Sequence, residues 1–139
     1  MSHIAWLSKK LDSGKVLCHA CAQACKLEEG EYGICGVRKV EDGELRLLVY
    51  GKAAAVNIDP VEKKPMFHFL PKSGAFSVGT VGCNFSCKFC QNYDISQYPK
   101  EHHHEIVGRE LSPARIVELA LEHGCASVAY TYNEPIVFF

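Results

Sequence analysis

The distribution of cysteine is the feature that most limits how this chain can fold. The sequence of 139 residues contains eight cysteines, in a group of four, a group of three and one single residue. A secreted disulfide scaffold can be as rich in cysteine, but the N-terminus lacks the long apolar stretch of a signal peptide. Groups of four and three also pair poorly as local disulfides. The pattern favours reduced thiols that bind metal at two sites, and it predicts a cytoplasmic location.

Composition excludes several other classes of protein. The chain is 47% hydrophobic and 22% charged, with a formal net charge of −1, which argues against disorder, collagen and coiled coil. No apolar run approaches the ~18 residues that a membrane span needs. With 15 basic and 16 acidic residues, nothing marks a protein of nucleic acids or membrane surfaces. We therefore expect neither nucleic acid nor a membrane as a partner.

Residues 1–72 are predicted to form a Cys-rich, β-containing N-terminal module and a connector. The first 40 residues are polar and rich in glycine, with too little apolar content for a core of their own, which is typical of a small metal-stapled unit. Asp42-Gly43 predicts a hairpin turn, residues 45–50 a strand and residues 53–58 another. The segment 59–71 carries three prolines and is expected to be an extended connector.

Two side-chain environments are also expected in that connector. Its apolar cluster, residues 66–70, should pack onto a core, and His68 inside the cluster should be a hydrogen-bonded core histidine. Lys63 and Lys64 are expected to be ordinary surface residues.

Residues 73–139 show the pattern of a β-α-β unit. Residues 75–81 form an apolar run of strand length, as in the buried strands of parallel sheets. Ser112 is a good helix N-cap and Pro113 suits the first helical position. Residues 126–132 are β-prone again, so the order implies a parallel crossover. The sequence thus predicts an α/β fold, and because two strands and one helix cannot cover a sheet, we expect a truncated chain.

The group of three cysteines, Cys83-x3-Cys87-x2-Cys90, predicts an open metal site. Structural zinc needs four ligands, whereas three thiolates leave one iron of a [4Fe–4S] cluster free for a small molecule. The group follows the predicted first strand, where ligands bind in parallel sheets. The alternative is a zinc site completed by a distant residue such as Cys125 or a histidine. Otherwise Cys125 is expected to be a small core residue.

This spacing, with Phe89 in the aromatic position before the last cysteine, resembles the signature of radical S-adenosylmethionine (SAM) enzymes. The resemblance implies that Cys83, Cys87 and Cys90 hold a [4Fe–4S] cluster and that SAM chelates the fourth iron. It places Phe89 near the adenine of SAM. It also implies that residues 73–139 are the start of a partial, TIM-like (βα) barrel.

A longer string, residues 79–92, is similar to one branch of that superfamily, the AmmeMemoRadiSam-system radical SAM enzymes, which resembles pyruvate formate-lyase activating enzymes. Members of the branch are much longer than this chain, which agrees with a truncated N-terminal part. The resemblance implies an oxidoreductase-like enzyme with an electron donor such as flavodoxin or ferredoxin and an unknown substrate, for which a protein glycyl site is a candidate. Further matching segments are residues 33–38, 50–53, 59–65, 67–71 and 130–135.

The end of the second predicted strand carries Thr131, Tyr132, Asn133 and Glu134. In the superfamily this position usually has a Gly-Gly-Glu element that binds the SAM amino group through carbonyls and the acid. Here Tyr132 and Asn133 replace the glycines, while Glu134 keeps the acid. An ammonium needs nearby acceptors, which Glu134 and the local carbonyls provide. All four residues are therefore expected to contact SAM.

The N-terminal group, Cys18, Cys21, Cys25 and Cys35, has enough ligands for a closed site. Structural zinc is the favoured role, and an auxiliary iron–sulfur cluster is the alternative, because thiolate number does not separate the two metals. For the chain as a whole, the alternative to a radical SAM enzyme is a non-enzymatic zinc-binding interaction module. Redox-sensing thiols are disfavoured by the grouping of the cysteines.

Overall fold

The computed structural model describes residues 3–139, and most of its regular elements are short strands. No helix in this range is long and apolar enough to cross a membrane. The elements in chain order are β1 (His3–Ile4), β2 (Ser8–Lys10), β3 (Val16–Cys18), β4 (Lys26–Leu27), β5 (Arg38–Glu41), β6 (Glu44–Leu47), β7 (Lys52–Ala53), β8 (Ala55–Pro60), a 3-10 turn (Val61–Lys63), β9 (Gly74–Gly79), α1 (Tyr93–Ser96), α2 (Tyr98–Glu101), β10 (Arg109–Glu110), α3 (Pro113–Glu122), β11 (Ser127–Tyr130) and a second 3-10 turn (Pro135–Phe138).

The predicted hairpin is confirmed. Strands β5 and β6 pair antiparallel across Asp42 and Gly43, which both have positive φ, 55° and 69°. This left-handed pair is what a two-residue hairpin turn requires. The strand predicted over residues 45–50 ends earlier, at Leu47, because the chain turns at residues 48–51.

The N-terminal part folds into two three-stranded sheets, in the orders β1-β6-β5 and β2-β3-β4. Their buried residues form one core with residues from the far end of the chain, which supplies apolar surface that the first 40 residues lack. The members of this core include Val16, Leu27, Val37, Val40, Leu45, Leu47, Val49, Val81 and Val137.

The β-α-β prediction is confirmed as well. Strand β9 lies between β8, which is antiparallel to it, and β11, which is parallel to it. Helix α3 begins after Ser112, whose side chain accepts a hydrogen bond from the backbone N–H of Arg115 (3.2 Å). The apolar side of the helix packs on β9 in a second core. Cys125 is buried in this core, as predicted.

The prediction for the connector is wrong in two respects. The backbone N–H of Val61 donates to the carbonyl of Ser73 (3.0 Å). The two ends of the segment therefore lie side by side, and the residues between them form a loop. Its apolar side chains therefore face solvent: Phe67 is 63% exposed and Phe69 50% exposed. His68 is exposed too, and is not a core histidine.

Candidate active site at the ends of two parallel strands

Two loops predicted to carry the site leave the same edge of the sheet. Strands β9 and β11 are parallel neighbours, so their carboxyl ends meet there. Asn133, which is buried, ties the loops together. Its side-chain N–H groups donate to the carbonyl of Gly82 (2.6 Å) and the hydroxyl of Thr80 (3.1 Å), and its oxygen accepts from the Thr80 N–H (3.4 Å). The structure thus brings the cysteine loop and the Thr131–Glu134 segment together.

The three cysteines lie on a loop that is fixed at its base and open at its tip. Cys83 is buried, Cys90 is half-buried and Cys87 is exposed, and all three are free thiols. At the base, the Gly82 N–H donates to the Ile95 carbonyl (2.9 Å). The Cys90 Sγ lies 3.4 Å from the Ser96 hydroxyl at the end of α1. The helical turns after the loop therefore support it from one side.

Three thiols on one short loop are a donor set that suits an iron–sulfur cluster. Within residues 3–139, no three His, Cys, Asp or Glu side chains have an arrangement that could hold a metal ion. In a [4Fe–4S] cluster each thiolate binds a different iron, so the thiols need not converge on one point. Three free thiols on one short, half-open loop satisfy that requirement.

The predicted SAM contacts are only partly gathered at this edge. Thr131 is held by its N–H, which donates to the Val78 carbonyl (2.9 Å). Glu134 is half-buried, and its carboxylate makes no hydrogen bond or ion pair within residues 3–139. It is therefore free to accept from a ligand. Phe89 is 86% exposed, so the structure does not bring this ring onto the strand ends.

Tyr132 adopts an unusual backbone conformation between Thr131 and Asn133. Its φ is 72°, a left-handed value that costs a non-glycine residue roughly 1–2 kcal/mol. Gly79 at the end of β9 permits this turn, because a Cβ there would lie 2.5 Å from the Thr131 carbonyl oxygen. The Tyr132 hydroxyl accepts from the Asn57 side chain (3.0 Å) and donates to the Asp59 carboxylate (3.4 Å). A strained residue is thus anchored through its side chain to β8.

Asp59 is the centre of a charged cluster that the sequence analysis missed. Lys63 and Lys64 donate to its two oxygens at 2.8 and 2.7 Å, and the Ser77 hydroxyl donates at 2.9 Å. These hydrogen bonds, that of Lys63 first, hold the pKa of Asp59 far below its ordinary value against the opposing effect of burial. The Lys64 side chain is only 14% exposed and lies 5.5 Å from the ring centre of Tyr132.

The prediction that Lys63 and Lys64 are ordinary surface residues is therefore wrong for Lys64, although Lys63 is 68% exposed. A pair of lysines in sequence is usually a solvated charge run. The available signal was that residues 59–65 and 130–135 both belong to the segments that match the resembled branch. Nothing in either segment showed that they meet.

The four N-terminal cysteines also come together. All of them line one small cavity of about 20 Å³ beneath the second 3-10 turn. Burial raises the pKa of Cys35, against the backbone N–H groups of Val37 and Arg38, which lower it. The structure supports a shared environment for this group, but the expectation of zinc gains no support from it, since the four thiols are not arranged around one metal position.

Arg38 joins this cysteine cavity to the end of the chain. Its guanidinium is almost completely buried and lies 3.9 Å from the Cys18 Sγ. It donates to backbone carbonyls of Trp6 (3.1 Å), Ile136 (3.3 Å) and Phe139 (2.7 Å). The segment that follows Glu134 is therefore fastened to the N-terminal module by a buried cation.

A larger cavity, of about 430 Å³, lies on the helix side of β9 and β11. Its wall is mainly apolar and includes Val78, Leu111, Ile116, Tyr130 and Phe138. None of the predicted cluster or SAM residues lines it, so the size of this cavity does not bear on the candidate site.

Comparison with known proteins gives a family match and a curated relative. Residues 77–138 match the Radical SAM superfamily, a range that contains the three-cysteine loop and the Thr131–Glu134 segment. Over 135 residues the chain is 45% identical to the uncharacterized protein MJ0808 of Methanocaldococcus jannaschii, covering 97% of this chain and 40% of that protein. The chain thus spans about two fifths of the length of this relative. No solved structure matches the chain significantly.

Residues 77–138 are thus similar to a radical SAM domain, and a function of that type is a proposal for this chain. The finer branch, the barrel, the domain boundary after residue 72 and the individual site residues stay predictions.

Proposed function

We propose that this chain provides the cluster- and SAM-binding part of a radical SAM enzyme that resembles pyruvate formate-lyase activating enzymes. One observation carries the proposal. The superfamily match covers two segments, Cys83–Cys90 and Thr131–Glu134, that leave neighbouring parallel strands at the same edge and are joined there by Asn133. Such an edge is where parallel sheets bind ligands.

In this proposal Cys83, Cys87 and Cys90 hold a [4Fe–4S] cluster, and Glu134 with the carbonyls of residues 131–133 accepts from the SAM ammonium. When bound, the cluster supplies the electron that cleaves SAM to methionine and a 5′-deoxyadenosyl radical, which takes hydrogen from a substrate. The half-buried position of Glu134 lowers competition from water for its carboxylate. The resemblance places Phe89, on the exposed part of the same loop, near the adenine.

The substrate and the electron donor belong to the proposal as well. A protein glycyl site is the candidate substrate, and a flavodoxin or a ferredoxin the candidate electron donor. Both follow from the likeness to the activating enzymes.

Cluster assembly tests the metal ligands. Single replacement of Cys83, Cys87 or Cys90 by Ala should abolish a cluster at this loop, because two thiolates rarely retain one. The matched control is Cys125→Ala, which removes a buried cysteine of the α3 core. Iron and acid-labile sulfide are measured after anaerobic reconstitution. A full complement in any of the three loop variants would contradict the assignment.

SAM binding tests Glu134. Addition of SAM should perturb the electron paramagnetic resonance spectrum of the reduced cluster. Glu134→Ala should weaken this response, since a charge-assisted hydrogen bond contributes about 1.5–3 kcal/mol, roughly 10- to 150-fold in affinity. Glu110→Ala, at an exposed position on β10, is the control. An unchanged SAM titration in Glu134→Ala would remove Glu134 from the site.

For the N-terminal group we propose a second metal site, with structural zinc or an auxiliary iron–sulfur cluster held by Cys18, Cys21, Cys25 and Cys35. The shared cavity supports a common ligand, and thiolates suit either metal. Replacing Cys18 or Cys35 should destabilise the N-terminal module while SAM still perturbs the other cluster. Metal analysis of anaerobic protein that finds iron and no zinc would select the cluster.

The alternative function, a non-enzymatic zinc-binding interaction module, makes a different prediction. A protein with zinc at both sites is colourless, whereas iron–sulfur clusters give a brown protein. Colourless anaerobic preparations with zinc as their sole metal would favour the module and contradict the proposed enzyme.

A further inference from the structure

We infer that the hydroxyl of Tyr132, anchored to Asn57 and Asp59, is a positioning device that holds the Thr131–Glu134 turn in the shape that receives SAM. The inference rests on the proposed function, because it assigns a purpose to the side chain of a residue whose carbonyl is a proposed SAM contact. Tyr132 itself need not touch SAM through its side chain.

The first step of the argument is the backbone of Tyr132. A left-handed φ of 72° is strained for tyrosine, and such strain persists only where the surroundings over-determine it. Strained residues of this kind concentrate at ligand sites. Here the strain sits two residues before Glu134, in the segment that would supply acceptors to an ammonium.

The second step is that the surroundings do over-determine this residue. The Tyr132 hydroxyl makes two hydrogen bonds to β8, from Asn57 at 3.0 Å and to Asp59 at 3.4 Å. The ring lies beside the Lys64 ammonium, 5.5 Å away, in the range of a cation–π contact. One side chain thus receives two contacts from β8, on the far side of β9 from β11, and a third from Lys64 just after the first 3-10 turn.

The third step concerns what Asp59 can do. Two lysines and the Ser77 hydroxyl bind its carboxylate, so Asp59 is held in place independently of Tyr132. A fixed acceptor on a rigid strand is a suitable reference point for a turn, since sites supported by strands are more precise than sites on loops. Strand β8 thereby sets the position of a turn that follows β11.

A preorganised turn binds its ligand more tightly because it loses little conformational entropy when the ligand binds. Removal of the hydroxyl should therefore weaken SAM binding without removing any SAM contact. The chain offers a matched control, because the Tyr98 hydroxyl also donates to a carboxylate, that of Glu105 at 2.9 Å, at an exposed position.

The test compares Tyr132→Phe with Tyr98→Phe in the reconstituted protein. A third variant, Asn57→Ala at an exposed position, removes the hydrogen bond that Asn57 donates to the Tyr132 hydroxyl. SAM is titrated against the spectrum of the reduced cluster, and amide hydrogen exchange of residues 131–134 is measured without SAM. We expect Tyr132→Phe to raise the SAM concentration for half-maximal response about tenfold, or about 1.4 kcal/mol. Exchange in the turn should rise by a similar factor, while the iron and sulfide content stays that of the unmodified protein. Asn57→Ala should shift both quantities in the same direction and Tyr98→Phe neither.

The outcomes separate this inference from the proposed function. If the unmodified protein responds to SAM but Tyr132→Phe binds SAM equally well, the positioning role is wrong and the proposed function stands. If exchange rises while SAM affinity stays the same, the hydroxyl is only a structural tether, and the inference is overturned. If the unmodified protein shows no response to SAM, both fail.

Discussion

The sharpest stability prediction concerns Asn133→Ala, because this one side chain fastens the two loops of the candidate site. Its amide makes three hydrogen bonds, one to Gly82 and two to Thr80, in a buried position. Truncation leaves the Gly82 carbonyl and the Thr80 N–H without these partners. A buried polar group without a partner costs about 1–3 kcal/mol.

Two such groups would cost up to twice that amount, but the Thr80 N–H contact is long, at 3.4 Å, and counts for less. We therefore expect Asn133→Ala to lower the free energy of unfolding by about 2–4 kcal/mol. The assay is equilibrium unfolding in urea, followed by circular dichroism under reducing conditions. The m-value should remain unchanged, since the folded surface is the same.

Asn92→Ala is the matched control on the same loop. Its side chain makes no cap hydrogen bond at α1, so the same substitution should change stability by less than about 0.5 kcal/mol. A loss below about 0.5 kcal/mol in Asn133→Ala as well would refute the argument. It would mean that the two loops hold their positions without the bridge, and that water replaces the amide at no cost.

Three further predictions follow from single residues. The pKa of Asp59 is lowered chiefly by the hydrogen bond from Lys63, so Asp59 should stabilise the fold at pH values above its ordinary pKa near 3.8 and lose that contribution as the pH falls below it. Asp59→Asn should therefore reduce the dependence of the unfolding free energy on pH in this acidic range. Gly82→Ala should lower the free energy of unfolding in urea by roughly 2–4 kcal/mol, since the new Cβ would lie 2.4 Å from a Val37 side-chain carbon at a φ of 86°. Gly30→Ala is the control: Gly30 has a similar φ of 82° but open space around it, so the loss should be only about 1 kcal/mol. Ser112→Ala should lower the stability of the α3 region by about 1 kcal/mol, and hydrogen exchange that is unchanged at the start of this helix would contradict the capping role.

The parts of the fold that follow local rules could be predicted from the sequence. The hairpin at Asp42-Gly43 needs only two residues that accept positive φ. The start of α3 needs only Ser112 and Pro113. The buried strand predicted over residues 75–81 is recognisable as an apolar run. The strand itself spans Gly74–Gly79 and is buried on both faces. Each of these signals lies within a few residues of the feature that it predicts.

The failures lie where distant segments decide the outcome. Residues 66–70 are apolar. Composition does not reveal that the chain closes a loop between Val61 and Ser73, which leaves these apolar side chains in solvent. Lys64 looks like surface charge until Asp59 and Tyr132, which are 73 residues apart, meet beside it. Spacing alone predicted a group of four N-terminal cysteines, which do line one cavity, because metal-type motifs are local in sequence. Their partners, such as Arg38, are not local.

The most consequential of these distant contacts joins the two cysteine groups. Gly82 directly precedes Cys83, and the backbone there approaches the Cys35 loop so closely that a Cβ on Gly82 would lie 2.7 Å from the Cys35 carbonyl oxygen. Only glycine permits that approach with a positive φ. The loop that holds the first cysteine of the proposed cluster therefore rests on the loop that holds the last cysteine of the N-terminal group. We therefore expect order in the Cys35 loop to help hold Cys83 in place, while the three intact thiolates of the other loop still let SAM perturb the cluster there when Cys35 is replaced.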